Sequence, residues 1–179
     1  MSPTAPSPSP SSRLRPGPRQ SSSRSDGSIC VVKLRRQARI VALQTLFEVD
    51  IAGHDAELVL EQRLAKTELP KRGADFARHL VGNVLKHRPV LDEFIHRFAP
   101  EWPFDQMAHI DRNVLRMAVF EFAVDGSTPV KVAINEAVEL AKAFGSDSAS
   151  RFVNGVLGTL VDHKEAIAQA ASEMRRTGE

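Results

Sequence analysis

The 179 residues contain one cysteine, Cys30, which excludes an internal disulfide and a cysteine-cluster zinc site, since each needs partners. No apolar run approaches the roughly 18 residues of a membrane span, and the N-terminus lacks the apolar stretch of a secretory signal. A soluble, cytoplasmic chain with no membrane partner is expected. Catalytic signatures are missing too. There is no Gly-x-x-x-x-Gly-Lys-Ser/Thr loop, no Gly-x-Gly-x-x-Gly after a strand and no Gly-x-Ser-x-Gly elbow. Glu93-Phe-Ile-His96 matches half of a di-iron bundle site, but no second Glu-x-x-His accompanies it. The six histidines are scattered. No enzyme, no metal site and no cofactor are expected.

Acid is scarce at the start of the chain. Residues 1–39 hold eight bases against the single acid Asp26, a net of +7, while the remaining 16 bases and 21 acids give −5. A near-neutral protein thus joins a basic end to an acidic body, a division suited to nucleic acid or another anionic partner. The first thirty residues contain ten serines and six of the eleven prolines and almost nothing apolar, so a disordered tail is expected over residues 1–31. Its Arg/Ser-rich composition has some transit-peptide character, but the prolines forbid the amphipathic helix such a peptide needs. About 145 residues then remain, enough for one domain with a sizeable core.

From Val32 onward apolar residues follow the helical period, with no convincing strand alternation. Leu34, Ala38, Val41, Ala42, Leu46 and Val49 define a first helix from Lys33 to Ala52, stopped by Gly53. A second fits Ala56 to Lys66 with Asp55 as N-cap, and a third Ala74 to Lys86. Pro89 either kinks the third or opens a fourth that bears Leu91, Phe94, Ile95 and Phe98. Pro100-Glu-Trp-Pro103 reads as the main connection between two subdomains. Ile110 to Ala123 is apolar nearly all round and belongs at the centre of the core. Thr128 and Pro129 supply a hydroxyl cap and a first-turn proline for a helix from Val130 to Phe144 that stops at Gly145. Ser146 to Ser150 offer N-caps for a last helix with Phe152, Val153, Val156, Leu157 and Leu160. Gly155 and Gly158 inside it imply close approach by a neighbouring helix. Beyond Lys164 a polar, frayed helix at most is expected. The reading is an all-α domain over residues 32–165, about seven helices in two packed subdomains, followed by a polar tail over residues 166–179.

On a helical wheel of about 100° per residue the core stripe of the first helix centres near about 145°. Arg35, Arg39 and Arg36 fall at about 200°, 240° and 300°, and Lys33 at about 360°. Leu43 and Phe47 continue that strip at about 280° and about 320°. Cations leading to an exposed ring suit single-stranded RNA, whose phosphates pair with arginines and whose bases stack. The alternatives stay open on this ground alone: the arginines as a solvated face, and Phe47 packed on another helix.

Arg36-Gln-Ala-Arg39, Ala42-Leu-Gln-Thr-Leu-Phe47, Asp111-Arg-Asn-Val-Leu-Arg116, Pro129-Val-Lys-Val-Ala-Ile-Asn-Glu-Ala-Val-Glu-Leu-Ala-Lys142 and Phe152-Val-Asn-Gly-Val-Leu157 occur in an order and spacing that resembles the NusB family of transcription antitermination factors. The resemblance covers Leu34 to Val161, and the first thirty residues have no counterpart in it. It implies an all-helical, non-enzymatic factor that pairs with the ribosomal protein NusE. The pair would bind boxA RNA of nascent transcripts, chiefly of ribosomal RNA operons, and act with RNA polymerase and other Nus factors. It assigns RNA contacts to Arg35, Arg36, Arg39, Phe47, Phe144 and Phe152, to which the helical wheel adds Lys33, and partner contacts to Asp111 and Arg112, although Asp111 could equally cap its helix and amphipathicity alone puts Phe144 and Phe152 in the core. Two positions depart from the pattern: Phe47 stands where tyrosine is common, and Ser148 where an acidic residue is common, with Asp147 beside it. Two other readings compete, an accessory domain of the kind found in rRNA cytosine methyltransferases and a structural module that forms a homodimer.

Overall fold

A computed structural model describes Met1, residues 24–99 and residues 106–177, the side chains of 24–30 excepted. Of the tail expected to be disordered over residues 1–31, residues 2–23 lie outside the described residues, as does the Pro100–Pro103 connection, whereas residues 24–31 are helical. Within them the fold is all-α: α1 (Arg24–Ala52), α2 (Ala56–Thr67), α3 (Lys71–Lys86), α4 (Arg88–Phe98), α5 (His109–Val119), a π-helical turn (Phe120–Asp125), α6 (Val130–Phe144), α7 (Ala149–Val161) and α8 (Lys164–Thr177). None of these helices is long and apolar enough to cross a membrane.

α1, α2 and α3 pack on one another, α4 to α8 form a second group, and α5 joins the two by touching α1, α3, α4, α6 and α7. Val114, Leu115 and Val119 of α5 are fully buried, as the apolar circumference of that segment requires. The segment changes pitch at Phe120, and the wider π turn buries Phe120, Glu121, Phe122 and Ala123 in succession. Asp55 caps α2, its Oδ1 accepting from the Leu58 amide at 2.9 Å. Pro89 sits in the first turn of α4, where a missing amide costs nothing, so it opens that helix and does not kink α3.

Four expectations are corrected. α1 begins at Arg24, not Lys33: its docked part, anchored by Ala38, Val41 and Ala42, serves as a nucleus from which each further residue adds a backbone bond, and Val31 and Val32 are exposed. The polar end is a full helix, α8. Ile167 and Ala171, four residues apart, are completely buried and Met174 follows on the same stripe, packed on α4 and the π turn. Gly155 and Gly158 are exposed, and a β-carbon built on either meets no atom within 4 Å, so no neighbouring helix among the described residues requires them. Thr128 does not cap α6: its hydroxyl is buried and donates to Glu121 Oε2 at 2.8 Å.

Candidate nucleic-acid interface

The cations predicted on α1 separate into an outer and an inner set. Lys33 and Arg35 are exposed, and Arg35 lies over the Phe76 ring at 5.3 Å. Arg36 keeps 46% of its side chain in solvent and is gripped from below by Glu136 of α6, with Nε to Oε2 at 3.1 Å and Nη2 to Oε1 at 2.7 Å. That hydrogen bond, and then the carboxylate's charge, raises the Arg36 pKa. The fork uses one face of the guanidinium and leaves its remaining donors toward solvent.

Arg39 departs from the expected outward cation. It is 3% exposed and donates twice to Glu121, Nε to Oε1 at 2.8 Å and Nη2 to Oε2 at 2.6 Å, with Glu136 at 3.6 Å and Phe76 beneath it at 5.3 Å. Leu43, placed on the same outer strip, is also fully buried. The cause is the packing of α1, which α2, α3 and α5 cover over a wider arc than its apolar stripe marks. An arginine inside that arc has to find carboxylates, and Glu121 and Glu136 supply them.

Arg36 and Phe144 line one shallow groove of about 150 Å³ between α1 and α6, floored by Ile40 and Leu140 and edged by Glu136 and Glu139. Phe144, at the end of α6, is 37% exposed. One residue on, Gly145 allows α6, α7 and α5 to crowd together: a β-carbon there would stand 2.5 Å from Ala149 Cβ and 3.0 Å from Asp111 Oδ1. Beyond it opens a larger recess of about 480 Å³ lined by Asp111, Ser146, Ser148, Arg151 and Phe152 among others. Phe152 is half-buried, packed on the core on one side and facing this recess on the other.

Asp111 is not the cap of α5, whose N-cap is Ala108; it lies in the first helical turn and forms the wall of the recess. Its Oδ1 is buried and has no hydrogen-bond partner among the described residues, and burial raises its pKa. Arg112 is half-buried, with Nη2 at 2.7 Å from His109 Nδ1 and 3.8 Å from Asp50 Oδ2. Phe47 is half-buried, its ring edge-on to His109 at 6.4 Å. Phe144 shares one hollow with Arg36 and Phe152 another with Asp111, while Phe47 lies toward the C-terminal end of α1.

The sequence reading missed the carboxylates that hold the arginines. Their signal was present: Glu136 stands three residues after Ala133 and Asp50 four after Leu46, each on a core stripe, and an acid on a core stripe needs a cation. Asp50 accepts from Asn113 at 3.0 Å and Arg116 at 2.8 Å, and Arg116 in turn forks onto Asp92 at 2.6 and 2.7 Å. Burial opposes ionisation of Asp50, yet Arg116, Asn113 and Arg88 together hold its carboxyl below the usual range.

The NusB family model matches residues 36–162. The chain is 48% identical over 139 residues to the transcription antitermination protein NusB of Dehalococcoides mccartyi, a match covering 78% of this chain and 95% of that protein. Among solved structures, T. maritima NusB is 31% identical with a TM-score of 0.65 and covers 75% of this chain and 90% of its own. A complex of the antitermination factors NusB and NusE with double-stranded RNA gives 25% identity and a TM-score of 0.65 over 77% of this chain and 98% of that one.

Proposed function

The chain belongs to the NusB family, and from that premise we propose that it is an RNA-binding antitermination adaptor. In this reading it pairs with NusE, binds the boxA element of nascent transcripts, notably of ribosomal RNA operons, and helps RNA polymerase with other Nus factors to read through terminators. The supporting observation is a pair of hollows on either side of Gly145, the groove of Arg36 and Phe144 and the recess of Asp111 and Phe152. Lys33, Arg35 and the free side of Arg36 neutralise phosphates, and the rings of Phe144 and Phe152 offer stacking faces. Arg39 acts from beneath by fixing α1 against the π turn. Phe47 offers a third ring at the far end of α1. Asp111, in the wall of the recess, and the neighbouring Arg112 are the contacts to NusE in this reading, and the Asp111 carboxylate is also an acceptor for base amino groups. Within the family, a solved complex of NusB and NusE with double-stranded RNA supports this pairing of ligands.

A gel shift with a short boxA RNA and a scrambled control, each with and without NusE, tests the reading. Tighter binding to boxA that strengthens with NusE and weakens steeply with salt is expected. Equal affinity for both RNAs regardless of NusE would count against it.

A further inference from the structure

Arg35 differs from Arg36 and Arg39 in what holds it. Arg36 uses Nε and Nη2 on Glu136, and Arg39 uses the same pair of nitrogens on Glu121. Arg35 is exposed and makes no hydrogen bond and no ion pair among the described residues. It is held instead by the face of a ring, its guanidinium carbon lying over Phe76 at 5.3 Å from the ring centroid. Phe76 comes from α3, which runs close against α1 at this level. A β-carbon on Gly73, one turn before Phe76, would stand 2.7 Å from Cδ1 of Leu34, the residue that precedes Arg35.

The ring is itself fixed. Phe76 is half-buried and packs on the core, and the guanidinium of Arg39, one helical turn after Arg35, lies over it at the same 5.3 Å. Arg39 is in turn closed onto Glu121 of the π turn. A chain of contacts therefore runs from a buried carboxylate through Arg39 and Phe76 to an arginine at the surface. Its last contact has a property that the carboxylate forks lack. A guanidinium over a ring face is attracted by the ring's quadrupole, yet its five N–H donors lie in its own plane and none is used. Arg35 is thus oriented while its donors stay free.

We propose that Phe76 is a positioning residue for RNA binding, holding the Arg35 guanidinium ready to clamp a phosphate of the backbone. This rests on the RNA-binding reading above and gives α3 a part in it. A free surface arginine loses rotamer freedom when it clamps a phosphate, and that loss weakens binding. Stacking on Phe76 removes part of the loss beforehand, so the same charge binds more tightly. A guanidinium of fixed orientation also favours a two-pronged grip on one phosphate. Phe76 acts only through Arg35, and its own contacts are to protein.

The test is a double-mutant cycle on the full chain, read by fluorescence anisotropy with boxA and with scrambled RNA at one salt concentration: the unmodified protein, Phe76→Leu, Arg35→Gln and the two together. Phe76→Leu is expected to weaken binding to both RNAs by about two- to tenfold, the cost of ordering one long side chain, and to add nothing once Arg35→Gln is present. Phe76→Tyr, which keeps the ring, should bind within about twofold of the unmodified protein. Urea unfolding accompanies each variant; if Phe76→Leu is not fully folded, Phe76→Met, which fills the space without a ring, takes its place. An effect of Phe76→Leu that is equal with and without Arg35, or no effect at all, overturns the positioning role while the RNA reading stands. A second readout needs no RNA. The nitrogen heteronuclear NOE of the Arg35 Nε–Hε group should fall in Phe76→Leu, and a value as low in the unmodified protein as in the variant overturns the role too. Failure of the unmodified protein to bind either RNA overturns the RNA reading and this role with it.

Discussion

Two clusters of charge along α1 solve the same problem at different depths. Midway along the helix, Arg36 and Arg39 face Glu136 and Glu121, and the inner pair is closed off from water. At its C-terminal end, Asp50 and Arg116 are each 2% exposed, whereas Asp92 keeps 23% and Arg88 43% of the side chain in solvent. A balanced cluster can be sealed, because every buried charge has its counterpart and nothing remains to be hydrated. A cluster whose outer members stay in water is screened, and its pairs are worth less. Burial thus separates an arginine that holds the fold from one that can serve a ligand, although both kinds lie within a few turns of one helix.

Breaking the sealed end should have the largest effect. Glu121→Ala leaves Arg39 and the Thr128 hydroxyl buried with only the more distant Glu136, and a loss of about 4 to 5 kcal/mol is expected in urea unfolding. At the other end, Arg116→Met removes the guanidinium that bridges Asp50 and Asp92. Asp50 retains Asn113 and Arg88, and Asp92 retains Arg88 at 3.7 Å, so a smaller loss of about 3 kcal/mol is expected by the same measurement. Equal losses at the two sites would remove the distinction between a closed and a partly solvated cluster.

Neither cluster was legible in the sequence as such, and the reason is physical. A helical wheel reports where apolar residues lie, and the stripe of Leu34, Ala38, Val41, Ala42 and Leu46 was read correctly. It does not report how far the burial extends to either side. Arg39 and Leu43 fall within the wider arc that α2, α3 and α5 cover, and Arg39 is tolerated there because Glu121 reaches it from 82 residues away. The same blindness applied to α8, where Ile167, Ala171 and Met174 are separated by polar residues and the stripe is narrow. The all-α class, the central place of α5 and the Asp55 cap were within reach because each depends on local pattern, whereas that pattern alone placed the 37%-exposed Phe144 in the core. The π turn and the role of Thr128 were not, since both depend on where Arg39 sits.

Arg36 separates the two roles within the sealed end itself. Its side chain is nearly half exposed, so the pair with Glu136 is screened, and Arg36→Ala should cost at most about 1 kcal/mol of stability. RNA affinity should fall alongside a reduction of about 0.7 to 0.9 in the salt slope, read by anisotropy. A stability loss as large as that of Glu121→Ala would place Arg36 with Arg39 as a structural arginine and end the division into outer and inner sets.

Asp111 is the control that both ends lack, a buried carboxyl with no cation. Its folded-state pKa is raised by burial, the reverse of Asp50, whose pKa is lowered. For a carboxyl with a raised pKa, the folded state favours the protonated form, so the ionised group costs stability above its folded pKa and costs nothing once pH falls below its unfolded pKa. Asp50 has the opposite sign: it stabilises above its unfolded pKa, and that contribution disappears as pH falls through its folded value. Asp111→Asn, which keeps the shape and removes the charge, should therefore raise the melting temperature at pH 7, with the gain shrinking to nothing below the carboxylate range. Asp50→Asn should lower it at pH 7, with the loss shrinking over the acid range. Parallel melts of the two variants from pH 7 down to pH 3 check this directly. If both substitutions move stability in the same direction at neutral pH, the cation set around Asp50 does not distinguish the two sites. If Asp111→Asn stabilises the protein yet weakens binding to boxA RNA, the carboxylate is retained at a cost to the fold because the recess beside Phe152 uses it as an acceptor.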